Sequence, residues 1–360
     1  MPHNVMMARQ VTAATLTAIA ALEWQTRSKP NHFSPPTSSC ESPPPRPSSF
    51  IMFLGSGSST GCPKPRCLLQ TAQPPPYCST SLKANAGDPR NNKDYRGNPS
   101  LLIGHRPTST SNSSSTPPSS NVVIDVGKTF REHFIRWAPQ HNNTPYSIPS
   151  IDAVVLTHEH MDAYGGLDDL RGVQEHMQTL PIHLSNHTMT AVKRTYPYLI
   201  PRPPSPGEVK RHVASVDFKL FKPFSPFKVN DLSITPLPVI HGEDCTCFGF
   251  SFGTKEKVLY LSDISWMPAD TSNFISSLGE IDILVLDTLF FFRSHNTHFG
   301  LKEAEELIRE IKPKKCYLVG MSCDEVPPHD EANALLKKRF SDTHISVELA
   351  YDGLTLPVDL

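Results

Sequence analysis

No apolar run in this chain is long enough to span a bilayer. Charge of one sign is lacking too. Thirty-four Lys+Arg stand against 35 Asp+Glu, a formal net charge of −1. No Lys/Arg cluster stands out, so nothing global points to nucleic acid or an anionic membrane surface. Hydrophobic residues are only 38%, little for a wholly globular chain of 360 residues. The eight cysteines have no regular spacing, which argues against a secreted disulfide framework and for reduced thiols inside a cell. No internal repeat is visible.

Proline, by contrast, is abundant, with 36 residues, many in loops and in the first fifty positions. Loosely attached segments around one core are therefore expected. Residues 1–49 carry only Glu23 and Glu41 against Arg9, Arg27, Lys29 and Arg46, and grow rich in Pro and Ser. That composition suits a disordered tail or an organelle transit peptide. The expected location is cytoplasmic, or plastid or mitochondrion if the tail is a transit peptide. Residues 50–360 are expected to form one domain, interrupted by a flexible Ser/Thr/Pro/Asn-rich insertion at 106–121.

Short apolar runs read as strands at Ser49–Leu54, Leu101–Ile103, Val122–Val126, Ala153–Leu156 and Ile182–Leu184. Later ones fall at Leu232–Thr235, Val258–Leu261, Ile281–Leu286, Cys316–Val319 and Ile345–Leu349. Leu301, Ala304, Leu307, Ile308 and Ile311 share one helical face, and Pro313 stops the helix. Asp330–Phe340 reads as a second helix. Hairpin-like strands followed by strand–helix alternation predict a sheet-rich α/β sandwich with helices outside.

The most informative stretch is Thr157-His158-Glu159-His160-Met161-Asp162, directly after a buried strand. Two imidazoles and a carboxylate at alternate positions of a strand-exit loop can converge on one divalent ion. More ligand types stand at later strand ends: His241, Asp263, Asp287 and Cys323. Singly each is weak, since an Asp there is often a helix cap and a Cys an inert small hydrophobe. Together, in one order, they are hard to ascribe to chance. The turn Gly55–Gly61 after the first strand could offer backbone donors to a phosphate from Gly57 and Ser58, although many such turns bind nothing.

With Asp125 in Val-Ile-Asp-Val-Gly, the Thr157–Asp162 motif, His241, Asp263 and the Gly320–Cys323 strand end, the chain resembles the metallo-β-lactamase superfamily. The Gly55–Gly61 turn, Gly166-Leu-Asp-Asp-Leu-Arg171 and Thr297-His298-Phe299-Gly300 resemble the phosphoribosyl cyclic phosphate phosphodiesterase branch and its eukaryotic relatives. The resemblance covers about residues 50–356. It implies a four-layer αβ/βα sandwich with metals at one edge of the sheets. His158, His160 and His241 would hold one ion, Asp162 a second, and Asp263 would bridge them. Asp125 would orient the His-rich loop from behind, and His298 would sit by the substrate as an acid.

Two departures stand out. Ala163 replaces a second His found in the commonest motif, as it does in relatives with the Gly-Leu-Asp-Asp-Leu-Arg segment. Cys323 stands where the last ligand is normally His. A thiolate there favours zinc or iron over manganese or magnesium, or leaves the second ion weakly held; His329 is a possible substitute. Cys62, Cys67 and Cys78 lack a paired Cys-x-Cys or Cys-x-x-Cys, so the separate structural zinc site of some relatives is not expected.

The implied activity is a metal-dependent hydrolase, a phosphodiesterase acting on a small, cyclic or linear diester through a metal-bound hydroxide. Arg171 and the Gly57–Ser58 backbone would contact phosphate, although an ion pair of Arg171 with Asp168 or Asp169 is the plainer reading. The cofactors implied are two divalent ions, zinc foremost, with manganese or iron as alternatives. The partner is a small molecule, with neither membrane nor nucleic acid, and a homodimer is compatible with the chain. Alternatives are a thioesterase, a tRNA 3′-processing nuclease, or a binding protein that lost a metal through Cys323.

Overall fold

The computed structural model describes residues 49–69, 79–107, 119–174, 178–202 and 212–360. The expected tail at 1–49 lies almost wholly outside them, as do residues 108–118 of the expected insertion. Ser120 and Asn121, placed in that insertion by sequence, instead begin a strand paired with His105 and Gly104.

The first half supplies β1 (Phe50–Gly55), β2 (Ser100–His105), β3 (Ser120–Ile124), β4 (Ala153–Val155), β5 (Leu180–Leu184) and β6 (Val216–Leu220). The second half supplies β7 (Phe227–Val229), β8 (Leu232–Ile240), β9 (Thr246–Phe252), β10 (Val258–Leu261), β11 (Ile283–Asp287), β12 (Lys315–Val319), β13 (Ser346–Leu349) and β14 (Thr355–Pro357). Among the described residues they form two seven-stranded sheets, ordered β14-β1-β2-β3-β4-β5-β6 and β13-β12-β11-β10-β9-β8-β7. Each sheet mixes antiparallel hairpins with parallel pairs, β3–β4–β5–β6 in one and β10–β11–β12–β13 in the other.

The period-two alternation of side chains along a strand sorts the core into layers. On β1, Ile51 and Phe53 join a cluster with Phe250, Tyr260, Val285 and Tyr317 from the other sheet, which fills the space between the sheets. Phe50, Met52 and Leu54 face the opposite way and pack with Phe130, Trp137, Leu167 and Val192. On the second sheet, Leu259, Leu261, Leu284 and Leu286 turn outward onto Leu301, Ala304, Leu307 and Ile308 of the Leu301–Ile311 helix. Both sheets are thus covered on both faces, and that is why β1 and β10 read as apolar runs without polar alternation. The result is the expected four-layer αβ/βα sandwich.

The helix at Leu301–Ile311 has the bounds its periodicity predicts, and the second runs His329–Arg339. Four strands are illegible in sequence. β6 and β14 sit at a sheet edge with largely polar or half-exposed residues, β7 is short, and Gly249 with Ser251 interrupts the aromatic run of β9.

Candidate metal centre

The loop leaving β4 begins with Thr157, whose backbone N–H and hydroxyl both donate to the Asp125 carboxylate, at 2.9 and 2.8 Å. With its proton committed to Asp125, the Thr157 oxygen must accept from His158 Nδ1, 2.8 Å away. His158 is therefore protonated at Nδ1, and its Nε2 keeps a free lone pair. That Nε2 is buried and has no hydrogen-bond partner. Burial pushes His158 down to about 3, against the pull of Asp162, so the ring is neutral.

His241, just beyond β8, is set the same way. Its Nδ1 lies 2.7 Å from the Thr297 carbonyl, which can only accept, so its Nε2 is free as well. His160 precedes the short helix Met161–Tyr164. The rings of His158, His160 and His241 stand edge to face with centroids 4.6–5.1 Å apart, and one ligand atom of each falls within 4.8 Å of the others.

Asp263, two residues beyond β10, is buried and joins His241 and His298 in a second group of the same tightness. A third group combines His158, Asp263 and Cys247. Asp162 is buried at the edge of the cluster, near enough for its charge to act on His158 and His298, but it belongs to none of the three groups.

His298 Nδ1 lies 2.8 Å from Asp287 Oδ2 and 3.8 Å from Asp263 Oδ1. Burial alone would lower His298, but the charge and hydrogen bond of Asp287, with Asp263 and Asp162, raise it to about 9. Burial lifts Asp287 to about 6 in spite of that imidazolium.

An unpartnered buried nitrogen costs roughly 1–3 kcal/mol unless something fills its lone pair. Imidazole nitrogens with one or two carboxylates are the donor set of a catalytic zinc site. The residues present therefore fit a divalent ion.

Other expected site residues are placed elsewhere. Cys323 is in none of the ligand groups. Gly320 leaves β12 at φ 80°, Met321 then bridges to Gly57, and by Cys323 the chain lies against Cys62 and Ala84. A side chain at Gly320 would put its Cβ 2.3 Å from Asp287 Oδ1. His329 does not substitute; it is buried near Tyr351 and Asp94, with Nε2 3.0 Å from Asn333.

Arg171 is on the surface, 3.4 Å from Asp168, beside a cleft lined by Phe130, Arg131 and Phe134. The N–H groups of Gly57 and Ser58 are not open to a phosphate: they donate to the carbonyls of Gly97 (2.7 Å) and Met321 (3.1 Å). Sequence reading passed over Cys247, whose Sγ is 3.7 Å from His158 Nδ1, because β9 itself was illegible.

A profile of the β-lactamase superfamily domain matches residues 120–321, more than half of the chain and every residue of this cluster from Asp125 to His298. The chain belongs to the β-lactamase superfamily.

Among solved structures of this superfamily's fold, a diphosphatase from the PhnP family superposes with a TM-score of 0.62 at 26% identity, covering 87% of this chain and 98% of the other. Zinc-bound PqqB from Methylobacterium extorquens shares the fold at a TM-score of 0.59 and 16% identity, over 86% of this chain and 100% of its own. A curated relative, the octanoyltransferase of Porphyromonas gingivalis, is 27% identical over 308 residues, 86% of this chain and 51% of the relative. The chain thus spans about half the length of that relative.

Proposed function

We propose that this β-lactamase-superfamily protein is a metal-dependent hydrolase that cleaves a small phosphodiester, cyclic diesters included. One observation carries the reading. His158 and His241 are each locked at Nδ1 by an acceptor, which leaves Nε2 of each free, and both group with His160 and, in separate triples, with Asp263, beside a His298 held by Asp287. The His158–His160–His241 group suits one ion, with zinc matching its nitrogen set, and the Asp263 carboxylate beside it offers a ligand for a second.

Divalent ions held there would acidify a bound water and neutralise charge on a phosphoryl group. The remaining work falls to the protein. Asp125 and Thr157 hold the His158 ring in place. Asp287 holds the His298 ring by Nδ1 and keeps it protonated, leaving Nε2 to give a proton to a departing alkoxide. Likeness to a diphosphatase at 26% identity supports phosphoryl chemistry. The net charge of −1, without a Lys/Arg cluster, speaks against a tRNA substrate.

A second reading, thioester hydrolysis or acyl transfer, is favoured by the 27% identity to a protein named an octanoyltransferase. The two are separated by assaying the full chain, reconstituted with zinc or with manganese, on an aryl phosphodiester, a cyclic phosphodiester and an octanoyl thioester. Turnover of diesters that His158→Ala and Asp263→Ala abolish supports the proposal. Turnover confined to the thioester sinks it, and bound metal with no turnover of any ester points to a binding protein instead.

A further inference from the structure

Cys62 and Cys323, distant in sequence, meet in a small pocket away from the metal centre. Cys62 is 2% exposed and Cys323 0%. Ala84 completes the pocket, and Cys67 and Tyr95 pack against it. The two thiols are thus packed together in one buried cluster, beside a Ser81 hydroxyl that is itself buried without a hydrogen-bond partner among the described residues.

The backbones carrying the pair are pinned on both sides of it. Before it, Ser58 N–H donates to the Met321 carbonyl at 3.1 Å. After it, Lys64 Nζ lies 2.8 Å from Asp324 Oδ1. Cys62 is further fixed to Arg96 by a reciprocal pair of backbone bonds of 2.7 and 2.9 Å. The thiols are thus held in register rather than meeting by a chance of rotamers.

The charge beside them selects among the things two cysteines can do. Arg96 is buried, and its only ion-pair contact among the described residues is through Nη2 to Asp94 Oδ1 at 3.1 Å. Its Nε and Nη1 are buried without partners. A buried guanidinium next to Cys62 opposes a metal cation there, and although it favours the thiolate, the neighbouring Cys323 and burial push the Cys62 thiol up, so Cys62 keeps its proton while Cys323 is shifted down. Neither Cys62 nor Cys323 belongs to any cation-binding group among the described residues.

We propose that Cys62 and Cys323 are a redox pair that closes to a reversible disulfide, stapling the loop after β1 to the loop after β12. With hydrogen peroxide as oxidant, the Cys323 thiolate attacks one peroxide oxygen. The O–O bond breaks, hydroxide leaves and takes up a proton to become water, and the sulfur becomes a sulfenic acid. The Cys62 thiol then attacks that sulfur, its proton leaves with the hydroxyl as a second water, and the S–S bond forms. Two thiols have given two electrons to one peroxide.

The test uses the full wild-type chain, treated with peroxide, denatured in an alkylating reagent, digested and analysed by mass spectrometry. The expected product is one cross-linked peptide pair joining Cys62 to Cys323, lighter by two hydrogens than the separate peptides and released by a dithiol. Cys67→Ser should form it unchanged, and Cys62→Ser should leave Cys323 unlinked. Three results overturn the proposal: both cysteines fully alkylated after oxidation, Cys62 joined to Cys67 instead, or a zinc ion that co-purifies with wild type and is lost in both Cys62→Ser and Cys323→Ser.

Discussion

His298 Nδ1 lies 2.8 Å from the wholly buried Asp287 carboxylate, and this contact makes an imidazole that ordinarily titrates at 6.5 hold its proton to about pH 9. If His298 is the acid, His298→Ala should keep its full complement of metal. It should lose about 100- to 10,000-fold in turnover of alkyl diesters and far less on an aryl diester, whose leaving group departs without a proton. Equal losses on both substrates would discard the acid role, and loss of metal would make His298 a ligand.

Asp287→Asn removes the charge that holds the His298 proton. Because the folded value is raised, the acid form is present below it and is lost as pH rises through about 9. The alkaline limb of kcat/KM should therefore move to lower pH in the variant. A pH–rate profile whose alkaline limb stays in place would separate Asp287 from the chemistry.

Metal retention should follow the cluster and ignore Cys323. His158→Ala and His241→Ala should lower metal per chain, measured by elemental mass spectrometry, whereas Cys323→Ala should not. Asp125→Asn should weaken metal affinity by about 10- to 100-fold, because it loosens the acceptor that sets His158 through Thr157. A Cys323→Ala chain that loses metal would return that thiol to the ligand set.

A second buried pair governs stability. His133 Nδ1 is 2.9 Å from Asp352 Oδ2, while Asp352 also accepts from Ser56 N–H, Ser56 Oγ and Gly97 N–H, each at 2.8 Å. Burial lowers His133, but the charge of Asp352, its hydrogen bond and the Leu54 carbonyl outweigh it and raise His133 above 6.5. The stabilisation is thus complete below the unfolded value and is lost as pH rises through the folded one. Asp352→Asn should cost about 3–5 kcal/mol at acid to neutral pH and less in alkali. Urea unfolding at about pH 6 and about pH 9 reads both; a penalty independent of pH would assign it to the backbone bonds alone.

Gly127 admits no side chain. A Cβ there would stand 1.8 Å from the Asp162 carbonyl. Gly127→Ala should cost about 1–3 kcal/mol by overpacking and displace the loop that carries Asp162. Thermal unfolding with and without added zinc would show it: a variant with wild-type midpoint and wild-type zinc shift would mean that the loop moves aside freely.

The sequence by itself determined the layers and the chemistry. Uninterrupted apolar runs as short as Phe50–Leu54 and Val258–Leu261 read as strands buried on both faces, and His158-x-His160-x-Asp162 after Val155 points to a metal because its spacing is local. Only the tertiary structure decided the membership of the site. Strand ends far apart in sequence meet at one sheet edge, and the path after each end sets where its side chain goes. His298 arrives beside Asp287 and His241, whereas the turn at Gly320 and the bridge from Met321 to Gly57 carry Cys323 away to Cys62. Spacing fixes direction within a few residues; beyond that, backbone hydrogen bonds and packing between remote segments fix it.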